Sequence, residues 1–322
     1  MKKILNKRAF HKLVTILITY FVIQGLLSGG IIYDYQLDTL ATICINIILA
    51  VSLNLITGFT GQFSLGHAGF MSIGAYVCAI ITTRNQTIAG FIIGIFAGAL
   101  AAALVGIIVG LPTLRLRGDY LAIATLGMAE IIRIVFLNLK ITNGAAGLQG
   151  IPQFVNWFWM FLFAAATIII IVNFLNSSHG RACISIREDE IAAESMGVNT
   201  TKYKLIAFTM GAFFAGIAGG LYASYFYFLK PDLFGFTKSI DVLVIVVLGG
   251  LGSVSGSIIA AILLAIISTW LQSIPELRMV IYALLLVIIM LFRPQGLMGS
   301  KEISLSIFKK IGFKSKRGKE GA

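Results

Sequence analysis

The sequence is poor in charged residues, in acidic ones above all, and in cysteine. Charged side chains make up 12% of the 322 residues, and only 13 of them are Asp or Glu, whereas soluble domains carry about 25% charged residues. The chain therefore lacks the polar surface that a water-soluble domain of this size needs. Its three cysteines, Cys44, Cys78 and Cys183, are odd in number and far apart, which excludes a disulfide framework and a zinc cluster.

Long apolar runs account for most of the chain, and hydrophobic residues make up 58% of it. Because a helix crosses a bilayer core about 30 Å thick with about 20 apolar residues, this composition predicts an all-α, polytopic membrane bundle of about ten spans. The stretch 239–272 is too long for one untilted crossing and is broken by glycines, so it is either a short span plus a full one or a re-entrant pair. The other spans are predicted near 13–33, 38–59, 63–82, 88–110, 120–139, 157–176, 205–229 and 278–292.

Basic residues are distributed unevenly between the two sides that these spans define. Nineteen of the 25 Lys and Arg residues fall on one side, and positive residues in short loops are retained in the cytoplasm. The prediction is a basic cytoplasmic N-terminus over 1–12, a transmembrane domain over 13–292 and a basic cytoplasmic tail over 293–322. Topology and contact with anionic lipid then explain the net charge of +12, and no nucleic-acid partner is expected.

A glycine-rich break separates the second and third predicted spans. The segment 58–69 has four glycines in twelve residues. Irregular backbone at membrane depth persists only where protein or a water-filled cavity satisfies its polar groups. The segment is therefore either a tight interhelical turn or a broken helix beside a substrate pathway. In the second case the residues that supply hydrogen bonds along the pathway are Asn54, Gln62, Ser64 and His67.

A second break, near 247–257, repeats the spacing of the first. The pattern Gly-x-x-Gly-x-x-Ser occurs at 58–64 and again at 249–255. Paired interruptions in the two halves of a transporter point to a midplane binding site between structural repeats. An internal duplication and a chance match in a glycine-rich chain are both open at this point.

Two ionisable residues lie inside the fifth predicted span. Glu130 and Arg133 are three residues apart and so share one helix face, and charged groups at membrane depth are costly and point to a function. Glu130 is either half of a structural ion pair that locks helix packing or a group that takes part in transport. Its replacement by glutamine is predicted to impair folding or transport.

The predicted cytoplasmic loop 177–204 mixes charges of both signs. Asp189 or its neighbours can open a short helix with acidic residues in its first turn, and Gly197 suits the end of that helix. A short, charged, exposed helix at the membrane face indicates a docking segment, with a solvated connector as the alternative.

Seven sequence blocks spread over most of the chain carry a family resemblance. They are GFTGQFSLGHAGFMSIGAY (58–76), LPTLRLRGDYLAIATLGMAEIIR (111–133), TNGAAGLQGIP (142–152), HGRACISIREDEIAAESMGVNTTKYKLIAF (179–208), FFAGIAGGLYA (213–223), VLGGLGSVSGSIIAA (247–261) and RPQGLMG (293–299). In this order they resemble the permease subunits of ATP-binding-cassette (ABC) importers for branched-chain amino acids, specifically the LivM-type subunit.

The resemblance implies a pore-forming subunit in a bacterial cytoplasmic membrane. Its implied partners are a second, related permease, two cytoplasmic ATP-binding subunits and an extracytoplasmic substrate-binding protein. In such importers a cytoplasmic helix with an EAA-x-x-x-G motif couples to the ATPase, and Ile191 stands here at the position of its leading Glu. The residues expected to make this coupling contact are Arg187, Glu188, Glu190, Ala192, Ala193 and Gly197.

Energy for transport is expected to come from those partners. The chain lacks the Gly-x-x-x-x-Gly-Lys-Ser/Thr phosphate loop, because its one Gly-Lys pair, Gly318-Lys319, is followed by Glu. We therefore expect no cofactor and no metal on this chain, with ATP bound by the partner subunits.

Two other transport functions compete with this interpretation. A urea or short-amide ABC permease resembles the same blocks, and an ion-coupled secondary carrier would use Glu130 as a proton or sodium site. The mixed-charge loop argues against the carrier. An intramembrane enzyme lacks support, because no His-Glu-x-x-His or comparable catalytic motif occurs in the sequence.

Overall fold

The computed structural model describes residues 18–30, 33–116, 118–271, 275–293 and 295–299. The predicted terminus 1–12, the beginning of the first predicted span and most of the predicted tail 293–322 lie outside these residues. The helices are α1 (Ile18–Ser28), α2 (Asp34–Thr57), α3 (His67–Arg84), α4 (Ile88–Thr113), α5 (Asp119–Asn138), α6 (Trp157–Asn176), α7 (Ser178–Glu188), α8 (Glu190–Ser195), α9 (Thr200–Phe226), α10 (Phe236–Gly249), α11 (Val254–Trp270) and α12 (Pro275–Phe292).

Short irregular elements join the helices at one end of the bundle. Strand β1 (Leu148–Gln149) pairs antiparallel with β2 (Phe228–Leu229), with Leu148 opposite Leu229. Turns of 3₁₀-helix cover Lys140–Thr142, Gly144–Ala146 and Pro231–Phe234. The two strands tie the connection after α5 to the connection after α9.

Five helices are long and apolar enough, by length and composition, to cross a membrane: α2 from Gln36, α4, α5, α6 and α9. α1 and α11 are shorter apolar helices. The prediction of an all-α polytopic membrane bundle is confirmed. In the ambiguous stretch 239–272, α10 has 14 residues and α11 has 17. A 14-residue helix is about 21 Å long, which is shorter than the hydrocarbon core of a bilayer. If α10 begins at one membrane surface, the break that follows it therefore lies within the membrane.

The centre of the bundle is a close packing of α3, α4 and α9. A Cβ added at Gly74 of α3 would overlap the backbone of Gly216 in α9, and one added at Gly98 of α4 would lie 2.7 Å from the Gly74 oxygen. Small residues let membrane helices approach until their backbones touch. α3 is consequently buried on most of its surface, and its first residue is held deep inside the bundle.

Candidate functional site

The two glycine breaks lie against each other. The first comprises 58–66, between α2 and α3, and the second comprises 250–253, between α10 and α11. A Cβ added at Gly58 would overlap the Gly252 nitrogen. We call this junction of the two segments the break site. Sequence spacing suggested that both segments are irregular, and the structure shows in addition that they touch.

Asn54, in the last turn of α2, holds the two breaks together. Its Nδ2 atom donates to the Ser253 carbonyl oxygen at 2.9 Å and to Ser257 Oγ at 2.8 Å, while its Oδ1 atom accepts from the Gly252 amide at 2.9 Å. Asn54, Ser253 and Ser257 are all fully buried. The side-chain amide thus supplies the acceptor for the Gly252 amide, which lies between α10 and α11, and adds a donor to the Ser253 oxygen, which also accepts from the Ser257 amide at 3.2 Å.

A third irregular segment, 295–299, covers the end of α10. The Leu297 amide donates to the Leu248 oxygen at 2.9 Å, and the Met298 amide donates to the Gly249 oxygen at 3.3 Å. These are two of the carbonyls that the end of α10 leaves open. The segment after α12 therefore belongs to the break site, a role that sequence reasoning missed.

The other predicted pathway residues line the first break and are buried. Gln62 donates from Nε2 to the Lys204 oxygen at 3.2 Å, and Ser64 Oγ accepts from the Gly66 amide at 3.5 Å. His67 Nε2 lies 2.8 Å from Ser52 Oγ, and Ser52 Oγ lies 3.0 Å from the Leu49 oxygen. Among the residues that the structure describes, Gln62 Oε1 and His67 Nδ1 have no hydrogen-bond partner.

The predicted docking loop 177–204 consists of two helices rather than one, with α9 already beginning at Thr200. Asp189 ends α7 and caps α8, since its Oδ1 atom accepts from the amides of Ile191 at 2.9 Å and Ala192 at 3.0 Å. Gly197 follows α8 with φ +85°, a conformation that favours glycine. The predicted start and stop of the short helix are confirmed.

Helix α7 was not foreseen, although the sequence contains its signal. Gly180, Cys183 and Ile186 recur every three residues and are the buried residues of α7, as expected for one face of a helix. Burial raises the pKa of the Cys183 thiol to about 11, and Cys183 Sγ donates to the Tyr203 oxygen at 3.7 Å. Arg187, near the end of α7, lies against the first break, because a Cβ added at Gly61 would be 3.4 Å from its Cα atom. α7 is therefore packed onto the break site.

The predicted coupling residues point in different directions. Ala193 is buried, whereas Glu188 and Ala192 are exposed. Glu190 forms a 2.7 Å salt bridge with Lys204 at the start of α9. The largest exposed apolar side chains of this segment are Ile191, 71% exposed, and Met196, 85% exposed.

Glu130 lies apart from the break site, in an ionic cluster on α5. Arg133 Nε donates to both Glu130 carboxylate oxygens, at 2.9 and 3.0 Å, and Arg133 Nη1 donates to Asp232 Oδ1 at 2.9 Å. Lys230 lies 3.7 Å from the other Asp232 oxygen. This arrangement favours the structural ion pair over a free transport group.

The break site presents buried hydrogen-bonding side chains. In the part of the chain that the structure describes, no group of three or more His, Cys, Asp or Glu side chains is placed to hold a metal ion. The sequence matches the family model described as "Branched-chain amino acid transport system / permease component" over residues 35–290. The chain belongs to this permease family.

Individual relatives of the permease cover most of its length. It is 38% identical over 298 residues to the high-affinity branched-chain amino acid transport system permease protein LivM of Salmonella typhimurium, covering 82% of this chain and 70% of the relative. It is also 38% identical to LivM of Escherichia coli, covering 79% and 68%. Identity to LivH of Salmonella typhimurium is 26%, covering 80% and 92%. No solved structure matches the permease.

Removing a charge from the α5 cluster is expected to lower the stability of the protein more when more side chains lose their ionic partner. In the permease, Arg133→Gln leaves Glu130 without a cation and leaves Asp232 with only the more distant Lys230, whereas Glu130→Gln leaves Arg133 paired with Asp232. Removing one partner of an ion pair lowers the free energy of unfolding most where the remaining charge is buried away from water. The carboxylates here are about half exposed, so the loss is smaller. Arg133→Gln should lower the apparent melting temperature in detergent more than Glu130→Gln, and the reverse order would contradict this account of the cluster.

Proposed function

We propose that this chain is the pore-forming permease subunit of an ABC importer for branched-chain amino acids. It pairs with a second, related permease and is driven by two cytoplasmic ATP-binding subunits, which bind the ATP, and it receives substrate from an extracytoplasmic binding protein. The chain itself is not an enzyme in this proposal. The observation that carries it is the α7–α8 segment, which presents the exposed apolar side chains of Ile191 and Met196 and packs on the break site through Arg187.

The proposal places the chain in a bacterial cytoplasmic membrane with both termini in the cytoplasm. Support comes from the excess of Lys and Arg on the side that carries the loop 177–204. Basic residues over 1–12 and 293–322 would then contact anionic lipid headgroups. The domain division follows, with 13–292 as the transmembrane unit.

Gln62, Ser64 and His67 are the proposed pathway residues. The side chain of leucine, isoleucine or valine is apolar, while its ammonium and carboxylate groups need hydrogen bonds. The unpartnered Gln62 Oε1 atom suits an ammonium group, and so does the unpartnered His67 Nδ1 atom in the tautomer whose proton is on Nε2. The start of α3 at His67 suits a carboxylate because of the helix dipole. Asn54 and Glu130 have supporting roles in this proposal, since their side chains bind other parts of the protein.

Transport measurements separate this function from its rivals. The tagged chain, co-expressed with its partner subunits, is purified and reconstituted in liposomes with ATP, binding protein and radiolabelled leucine. ATP-dependent leucine uptake supports the proposal. Urea uptake that leucine does not inhibit would favour the short-amide permease. Uptake that persists without ATP and collapses with an uncoupler would favour the ion-coupled carrier.

The exposed face of α8 is expected to carry the ATPase contact. Replacing both Ile191 and Met196 by aspartate removes the apolar surface while leaving the buried Ala193 in place. Because interface affinity is concentrated in a few buried anchors, recovery of the ATP-binding subunits with the tagged chain should fall at least tenfold. Ile141→Asp is the control, since Ile141 is 62% exposed beyond the far end of α5. Equal recovery from all three proteins would remove the docking assignment.

Charge reversal at Glu188 and Glu190 tests the coupling residues predicted from the sequence. Both changes are expected to abolish coupled uptake and to leave membrane insertion intact. Glu188 gives the cleaner result, because reversal at Glu190 also breaks the salt bridge with Lys204. Normal uptake by the Glu188→Lys variant would show that this carboxylate is not part of the contact.

A further inference from the structure

Arg187 connects the α7–α8 segment to both glycine breaks. A Cβ added at Gly61 would lie 3.4 Å from the Arg187 Cα atom and 3.5 Å from its Cγ atom. A Cβ added at Gly252 would overlap Arg187 Nη1 and lie 3.4 Å from Cζ. The backbone and side chain of this arginine therefore cover Gly61 of the first break, and its guanidinium reaches Gly252 of the second.

Both residues that Arg187 contacts have a backbone conformation that favours glycine. Gly61 has φ +73° and Gly252 has φ +85°, values that side-chain-bearing residues rarely adopt. A side chain at Gly252 would also displace the guanidinium. Conformation thus favours glycine at both positions, and the missing side chain at Gly252 leaves the space that the guanidinium occupies. Because Arg187 packs on both segments, a movement of Arg187 would be transmitted to the backbone at the two interruptions.

The charge of Arg187 suits its position between helix ends. It lies in the last turn of α7 and packs on the segments that immediately follow the ends of α2 and α10. The C-terminal ends of helices carry partial negative charge, which a cation in the last turn stabilises. Among the described residues, no carboxylate forms a salt bridge with Arg187. The guanidinium therefore lies beside the ends of helices, with no acidic partner among the described residues.

We propose that Arg187 is a positioning residue for transport, through which a displacement of α7–α8 reaches the two glycine breaks. This inference rests on the proposed function, but it differs from the sequence-based expectation that Arg187 contacts the ATPase. Docking is carried by the exposed face of α8, and Arg187 transmits the resulting movement inward. Coupling of this kind requires that the partner's two states hold the α7–α8 segment differently.

The test compares ATPase recovery, ATP hydrolysis and leucine uptake in the reconstituted complex. Arg187→Ala is expected to recover the ATP-binding subunits within twofold of wild type and to keep at least half of the ATP hydrolysis, while leucine uptake per ATP falls at least tenfold. Arg187→Lys keeps the cation and loses the planar guanidinium, so its uptake per ATP should be intermediate. Arg181→Ala is the matched control, because Arg181 is an exposed arginine on α7 whose Nη1 bonds only to the nearby Asn176 oxygen.

Two results would overturn the inference. Loss of the ATP-binding subunits from Arg187→Ala would make Arg187 a docking residue, and unchanged uptake per ATP would make it dispensable for coupling. If Arg187→Ala does not accumulate in the membrane, Arg187→Lys carries the test, and wild-type uptake per ATP in that variant overturns the inference. Failure of the proposed function is recognised separately, since the wild-type chain itself would then recover no ATP-binding subunit.

Discussion

Replacing Asn54 by leucine is expected to abolish uptake and to destabilise the protein. The substitution keeps a side chain of similar size but leaves the Gly252 amide without its acceptor and removes donors from Ser253 and Ser257. A buried polar group left without a partner lowers the free energy of unfolding by about 1–3 kcal/mol. The total decrease for this variant should be at least about 2 kcal/mol. The apparent melting temperature in detergent should fall by roughly 5 °C or more, and uptake should fall below about a tenth of wild type.

Asn138→Leu is the control for this experiment. Asn138 is an exposed asparagine in the last turn of α5, and its Nδ2 atom donates only to the Ile134 oxygen of the same helix. Its loss leaves no other segment without a partner, so the melting temperature should change little. Equal melting temperatures for the Asn54 and Asn138 variants would show that the connection between the two breaks does not stabilise the fold.

Replacing Gly219 by alanine is expected to prevent normal packing of α3 against α9. An added Cβ would overlap the Met71 oxygen and lie 2.8 Å from the Ala75 nitrogen, and both are backbone atoms of a helix. Since neither can move alone, the two helices must separate. Overpacking of this kind costs about 1–3 kcal/mol or more. The yield of monodisperse protein after detergent extraction should fall severalfold, as measured by gel filtration.

Replacing Gly127 by alanine should not destabilise the protein. Gly127 lies within α5, and an added Cβ there meets no other atom within 4 Å. Alanine is favoured over glycine in a helix interior by about 1 kcal/mol, so Gly127→Ala should be as stable as wild type or more stable. A gain in stability for Gly219→Ala as well would contradict the close approach of α3 and α9.

The contact between the α7–α8 segment and the two breaks allows a movement of this segment to change the direction of the interrupted helices. Helices are stiff, whereas an interrupted helix can change direction at its interruption with few residues moving. At the break site, Asn54, the segment 295–299 and Arg187 all contact the second break or the end of α10. A displacement of α7 would therefore act on the positions where α2, α3, α10 and α11 end or begin.

The sequence alone predicted the spans and the interruptions closely. Predicted spans such as 88–110 and 157–176 correspond to α4 and α6 with small differences at the ends, because about 20 consecutive apolar residues have few alternatives to a membrane helix. Glycine clusters at 58–69 and 247–257 likewise mark real breaks. The short helix after Asp189 was predicted from its cap and its terminal glycine, which are local signals.

The sequence by itself determined where helices begin, end and break, since those choices depend on neighbouring residues and on hydrophobic length. Only the tertiary structure decided which distant groups meet: Asn54 with Ser253, Arg133 with Asp232, and Arg187 with Gly61 and Gly252. A side-chain amide or guanidinium has the same appearance in a sequence whatever its partner. The identity of that partner depends on how the helices pack, because packing is what brings residues separated by 100 to 200 positions within hydrogen-bond distance.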